Sequence, residues 1–211
     1  MVIVLTFIAA IAGAALGYTH KLTELPIQLA EKAKQESSIR KVAPEFDNSP
    51  AEEKITKTLD DGSEIYIYPA KKNGKWVGAA VESFSNNGFG GKINIMVGFE
   101  KDGTIRDYTV LKHAETPGLG SKMETWFRQD KNKQSVIGKN PSSTRMSVGK
   151  DGGEIDAITA ATISSRAFLE AIQKAYNAYI NDNDAVSGAS PVKRDETGNK
   201  EKSKKEDTNH E

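Results

Sequence analysis

The chain contains no cysteine. That removes disulfides, thiolate zinc sites, cysteine-ligated iron–sulfur clusters and cysteine nucleophiles. It leaves the compartment open, because exported chains also do without cysteine. Histidine is nearly as scarce. His20, His113 and His210 are scattered, none forms an i, i+4 pair, and no metal site is expected. Neither charge is in excess, since Lys+Arg and Asp+Glu each number 29. With no basic patch interleaved with aromatics, nucleic acid is set aside as a partner. There are no internal repeats. Any redox group this chain carries must therefore be an organic cofactor.

A long uncharged stretch is present instead. MVIVLTFIAAIAGAALGYT, residues 1–19, has no charged side chain. About 20 residues at roughly 1.5 Å rise span the hydrocarbon of a bilayer, about 30 Å. A cleaved signal peptide would need a basic leader, a shorter apolar run and a small-residue site at its end. Ala10-Ile11-Ala12 falls in mid-run, so residues 1–20 read as an uncleaved transmembrane anchor. Lys21, Lys32 and Lys34 follow the span, and simple positive-inside counting puts the body in the cytoplasm. A short basic leader ahead of Met1 would reverse that count.

Residues 21–53 are mostly polar, with prolines at 26, 44 and 50, and read as a stalk helix and connector. Strand-like runs follow at 64–70, 75–83, 92–100 and 104–113. They are joined at KKNG and at Lys101-Asp102-Gly103, both turn signals. A short helix is expected over 122–128, a further hairpin from 145–150 and 154–159, and a final amphipathic helix over 162–180. The fold class is α+β: an antiparallel sheet with helices packed at one side, occupying 54–181. Residues 182–211 are charged and nearly free of large apolar groups, which predicts a disordered tail.

Two stretches carry chemistry. HAETPGLG (113–120) follows a strand, and its Pro117, Gly118 and Gly120 suit a tight turn whose backbone can approach a ligand. It also reads as an ordinary strand-to-helix turn, with His113 a packing residue. DAITAATISSR (156–166) opens the last helix with a surplus of hydroxyls. One reading makes Thr162 or a neighbour an N-cap. The other makes the helix start a phosphate seat, with Ser164 and Ser165 adding donors and a threonine able to be esterified.

Taken together, the anchor, the H-x-E-T-P-G-L-G strand end and D-x-x-[ST]-[GA]-A-T-x-[ST]-S resemble one family. It is the FMN-binding domain family of ion-translocating electron-transfer complexes. The likeness runs from the anchor to about residue 180. It is nearer to the G subunits of Rnf-type ferredoxin:NAD oxidoreductases than to the related C subunits of sodium-pumping NADH:quinone oxidoreductases.

The resemblance implies that Thr162 carries FMN through a phosphoester installed by a separate flavin transferase with FAD as donor. Thr159 and Ala161 fall within the attachment element, and Asp156 matches the transferase-recognition residue. Ser164 and Ser165 are implied near the phosphate. His113, Glu115, Thr116, Gly118, Leu119 and Gly120 are implied near the ring or ribityl chain. Ala160 departs from the family's usual glycine and is costly only at a left-handed φ.

No side chain is expected to act as a catalytic acid, base or nucleophile in turnover. The implied role is an electron-transfer subunit of a membrane translocase, on the outer face of the cytoplasmic membrane. Its implied partners are membrane and iron–sulfur subunits, the transferase and membrane lipid. The contrasting reading is an anchored scaffold or binding module that never receives flavin.

Overall fold

The structure, a computed structural model, describes residues 1–186 except Asp60 and the side chains of Leu25, Gln28 and 182–186. The tail expected over 182–211 lies, from residue 187 onward, outside the described residues. Helix α1 spans Val2–Val42, about 60 Å at 1.5 Å per residue. An 18-residue window within it has a mean hydropathy of 2.1, long and apolar enough to cross a membrane. Pro26 lies inside α1 without ending it. The segments expected as anchor and stalk are thus one continuous helix. It stops where Ala43 turns extended ahead of Pro44, as a residue before proline prefers, with Arg40 and Lys41 complementing the dipole in its last turn.

Five antiparallel strands follow in a simple meander: β1 (Ile55–Thr58), β2 (Glu64–Lys72), β3 (Lys75–Gly88), β4 (Gly91–Glu100) and β5 (Ile105–Lys112). The four longer strands lie where periodicity predicts them. β1 escapes a hydrophobic reading because only Ile55 of its ITKT is apolar and the strand alternates only between half-buried and exposed. The KKNG turn has Asn73 and Gly74 both at positive φ, +52° and +72°, the requirement of a tight hairpin.

Strand alternation gives the sheet two buried faces. Val81, Ile93, Ile95, Val97 and Phe99 face helix α3 (Thr162–Val186), which lays Phe168, Ile172, Ala175 and Tyr179 on them. Tyr179 stacks on Phe99 at 5.1 Å and donates to the Glu100 carbonyl at 2.9 Å, fixing the end of α3 distant from its start. The opposite face, with Tyr68, Ala80 and Met96, is covered by Ile39 and Val42 of α1. Here Gly98 is required, since a Cβ would lie 1.8 Å from the Val42 carbonyl oxygen. The helix expected only as a stalk therefore completes the core.

Two local expectations are corrected. The short helix expected over 122–128 is present but shorter, as α2, Met123–Trp126, and a 3-10 turn, Gly120–Lys122, leads into it. Tyr108 donates to the Met123 carbonyl beneath it at 2.7 Å. The hairpin over 145–159 does not form. Only one isolated parallel bridge, Val148 with Ile155, joins those segments. At Gly153 a Cβ would lie 1.9 Å from the Ser147 carbonyl oxygen, so the chain folds back too tightly for a regular ladder.

Candidate functional site

The start of α3, the loop after β5 and the β3–β4 turn meet at one end of the sheet around a cavity of about 330 Å³. Its walls include Glu115, Thr116, Leu119 and Gly120 from the loop, and Ala161, Thr162 and Ser164 from the helix start. Ala160, Ile163 and Phe89 complete it. The mouth is apolar, with Phe89 69%, Ile163 48% and Leu119 40% exposed.

Glu115 organises this end. Its carboxylate is 5% exposed and accepts from the Ser164 hydroxyl at 2.5 Å and from the Gly90 N–H at 3.0 Å. One buried side chain thereby ties the helix start to the β3–β4 turn. Gly120 packs against this pair, where a Cβ would meet Ser164 Oγ at 2.5 Å and Glu115 Oε2 at 2.6 Å. A second carboxylate holds the turn from the other side. Glu170 accepts from Ser85 Oγ at 2.9 Å and Asn87 Nδ2 at 2.7 Å, and pairs with Lys174 at 2.9 Å. Burial pushes the Glu170 carboxyl up, but hydrogen bonds from Lys174, Asn87 and Ser85 outweigh it and hold the group below the usual range.

The surplus hydroxyls now separate by role. Ser165 is fully buried; it donates to the Ala161 carbonyl at 2.9 Å and accepts from the Ile158 N–H at 2.9 Å. It braces the helix start, and the expectation that it lies beside a phosphate is withdrawn, because its hydroxyl is spent inward. Ser164 is committed to Glu115, although it also borders the cavity. Thr162 is half-buried, lines the cavity, and its hydroxyl has no hydrogen-bond partner among the described residues. The N-cap reading of Thr162 therefore has no bond to support it. Thr159 is exposed and outside the cavity wall.

The other expected residues stand back from the wall. His113 Nδ1 accepts the Glu115 N–H at 3.1 Å and its Nε2 lies 3.2 Å from Glu124, so the ring braces the loop. Gly118, at φ +75°, donates its N–H to Ser121 Oγ at 2.9 Å and shapes the turn. Asp156 is tied to the Lys133 backbone twice: its N–H donates to the Lys133 carbonyl at 2.9 Å, and its carboxylate accepts the Lys133 N–H at 3.1 Å. Ala160 adopts φ +60°, the left-handed region in which a Cβ costs about 1–2 kcal/mol.

Sequence reasoning misses Phe89 and Gly90, which come from a turn remote in sequence from the two motifs. The available signal is the glycine cluster of NNGFGG with one aromatic inside it. At Gly90 a Cβ would lie 2.0 Å from the Ala114 carbonyl oxygen, so the turn must be glycine to seat on the loop.

Chemically, the site offers an unengaged hydroxyl beside a helix start whose first N–H groups lack intrahelical acceptors. It also offers an apolar mouth for a flat ring. That combination fits a phosphate ester with an aromatic body, and FMN meets both requirements.

Comparison with known sequences agrees. The FMN-binding domain family model matches residues 88–177, which spans every wall of this cavity. The G subunit of the ion-translocating oxidoreductase complex of Vibrio atlanticus is 33% identical, covering 90% of this chain and 93% of its own. Its namesake from Aliivibrio fischeri (strain MJ11) is 35% identical, over 82% and 86%. That of Vibrio cholerae is 31% identical, over 85% and 88%.

Proposed function

Because the chain belongs to the family of G subunits of ion-translocating oxidoreductase complexes, we propose that it carries FMN covalently on Thr162 and relays electrons within an Rnf-type complex. The observation that carries this is the single uncommitted hydroxyl of the helix start, on the wall of a cavity with an apolar mouth.

In maturation, Thr162 Oγ1 would bond to the phosphorus of the FMN half of FAD as the phosphoanhydride breaks, with AMP leaving and the hydroxyl proton passing to solvent. The first-turn N–H groups and the positive end of the α3 dipole receive the negative phosphate. Glu115, Gly90 and Gly120 keep the walls in place, and Phe89, Leu119 and Ile163 shield a flat ring from water. Bound FMN supplies the electron transfer, while the chain fixes its position and surroundings. A covalent link suits an exported domain, which cannot recapture a lost flavin from the cytosol.

In this reading the chain sits in the cytoplasmic membrane as a single-pass protein, with residues 54–181 outside. Membrane and iron–sulfur subunits, the flavin transferase and lipid are its partners. Lys34 donates to the Leu111 carbonyl near the site, while Val42 meets Gly98 at the other end of β4. α1 thus leaves the sheet past the end that holds the cavity, which supports a flavin turned toward the membrane.

The test is co-production with an active flavin transferase, followed by denaturing electrophoresis and flavin fluorescence. A fluorescent wild-type band that vanishes in Thr162→Ala is expected. Wild-type protein without flavin under those conditions refutes the proposal. For sidedness, single cysteines introduced into this cysteine-free chain should react with an impermeant reagent from outside; labelling only from the cytoplasm refutes that placement.

A further inference from the structure

A second concavity, of about 920 Å³, lies at the opposite end of the sheet between the end of α1, the start of β5 and the loop after α2. Running from Ile105 to Lys112, β5 puts roughly 20 Å between this groove and the flavin site at about 3.3 Å per residue. Lys41, Arg106, Arg128, Lys133 and Lys139 line the groove against only Asp107 and Asp130. The local excess of positive charge stands out in a chain whose total charges cancel.

The carboxylates present do not neutralise it. Asp107 is taken by Arg128 Nε at 2.8 Å, and Arg106 reaches Glu100 at 2.9 Å, outside the groove. The ammonium groups of Lys41, Lys133 and Lys139 pair with no carboxylate among the described residues. The walls are nonetheless firmly built. Arg128 sits 4.1 Å above the Tyr108 ring and also donates to the Glu124 carbonyl. Ile105 and the 138–139 backbone exchange bonds of 2.9 and 2.8 Å, and the Lys133 backbone is bonded to Asp156. Like charges are held near one another in a fixed concavity, an arrangement relieved by an anionic partner.

We propose that this groove docks an extended acidic segment of another protein. Several unpaired ammonium groups spread along an open cleft match a run of carboxylates better than one small anion. Lipid headgroups are disfavoured by position, an argument that rests on the anchor reading above. Lys41 lies about 30 Å along α1 from His20 at 1.5 Å per residue, several Debye lengths at physiological salt.

The test uses the full chain in a neutral detergent and a dye-labelled decapeptide of alternating Glu and Gly. Fluorescence anisotropy should show saturable binding that weakens steeply as NaCl rises from about 20 to about 200 mM. Lys133→Glu with Lys139→Glu should weaken it at least tenfold, Lys139→Gln less, and Lys112→Glu near the flavin site hardly at all. Equal binding by the double variant, or no binding by wild type, overturns the proposal. So does co-sedimentation with phosphatidylglycerol vesicles that the double variant loses while peptide binding is unchanged. Circular dichroism melts confirm that the variants fold. Flavin fluorescence on the same samples keeps failure of this proposal separate from failure of the Thr162 assignment.

Discussion

At the cavity end of the sheet, Glu115, Ser164, Ser165, Ser85 and Asn87 are all engaged by hydrogen bonds within the fold, and in the first turn of α3 only the Thr162 hydroxyl is left without a partner among the described residues. At the groove end the balance is reversed: the backbone is tied down, but the ammonium groups of Lys41, Lys133 and Lys139 pair with no carboxylate among the described residues. A buried polar group must find a partner or cost stability, whereas an exposed ammonium is stabilised by water. The unpaired hydroxyl in a well-satisfied site is therefore informative about covalent chemistry, and the unpaired lysines inform only through their number and shared concavity.

The largest effect that would break this comparison is at Thr162. Thr162→Ala should abolish covalent flavin while leaving the thermal midpoint of flavin-free protein nearly unchanged, because the hydroxyl braces nothing. A marked drop in that midpoint would show that Thr162 is structural after all. Next comes Glu115. Glu115→Ala strands the Ser164 hydroxyl and the Gly90 N–H and should cost about 2–4 kcal/mol in urea unfolding. Glu115→Gln, which keeps one acceptor, should cost about half as much. Equal stability of all three proteins would sink the view that this carboxylate holds the site together.

Much of this architecture is legible in the sequence, for identifiable reasons. Alternation of Ile93, Ile95 and Val97 marks β4 because one strand face is buried, and the α3 stripe is legible for the same reason at a 3.6 period. The family resemblance that the paired motifs carry implies Thr162, Glu115, Thr116, Leu119 and Gly120 around one ligand, and they do share one cavity wall. Phe89 is not legible, since its place at the mouth depends on how the β3–β4 turn seats against Ala114. The absent 145–159 hairpin has a similar cause: its alternation is satisfied by packing Val148 and Ile155 into the core without a ladder.

A smaller effect sharpens the comparison at Ala160. Ala160→Gly relieves a left-handed Cβ at about 1–2 kcal/mol but loosens the unfolded chain by about 0.5–1. The net expectation is a stabilisation of about 0.5–1 kcal/mol in urea unfolding, with flavin loading no lower than wild type. Reduced stability would mean that the Ala160 methyl packs favourably enough to outweigh its φ.

The mildest effect concerns pH. The folded Glu170 carboxyl lies below its ordinary value of 4.5, so its stabilisation is complete above that pH and is lost as pH falls through the folded value. Melting curves from about pH 6 to about pH 3 should therefore fall less steeply for Glu170→Gln than for wild type. Parallel curves would show that the ties to Ser85 and Asn87 do not depend on its charge.

By itself the sequence determined the anchor-length run, the four longer strands, the last helix and the chemistry available. An uncharged run long enough for a bilayer, alternation that makes a meander, and hydroxyls at a helix start follow from local composition and period. The absence of cysteine fixed what the redox group cannot be. Tertiary structure alone decided which hydroxyl is free, because Ser164 and Ser165 are spent on Glu115, Ala161 and Ile158 only once distant segments meet. It also decided that α1 closes the second face of the sheet and that lysines from separate segments share one groove. Hydrogen-bond partners and charge neighbours depend on distances in space, and those exist only after the chain has folded.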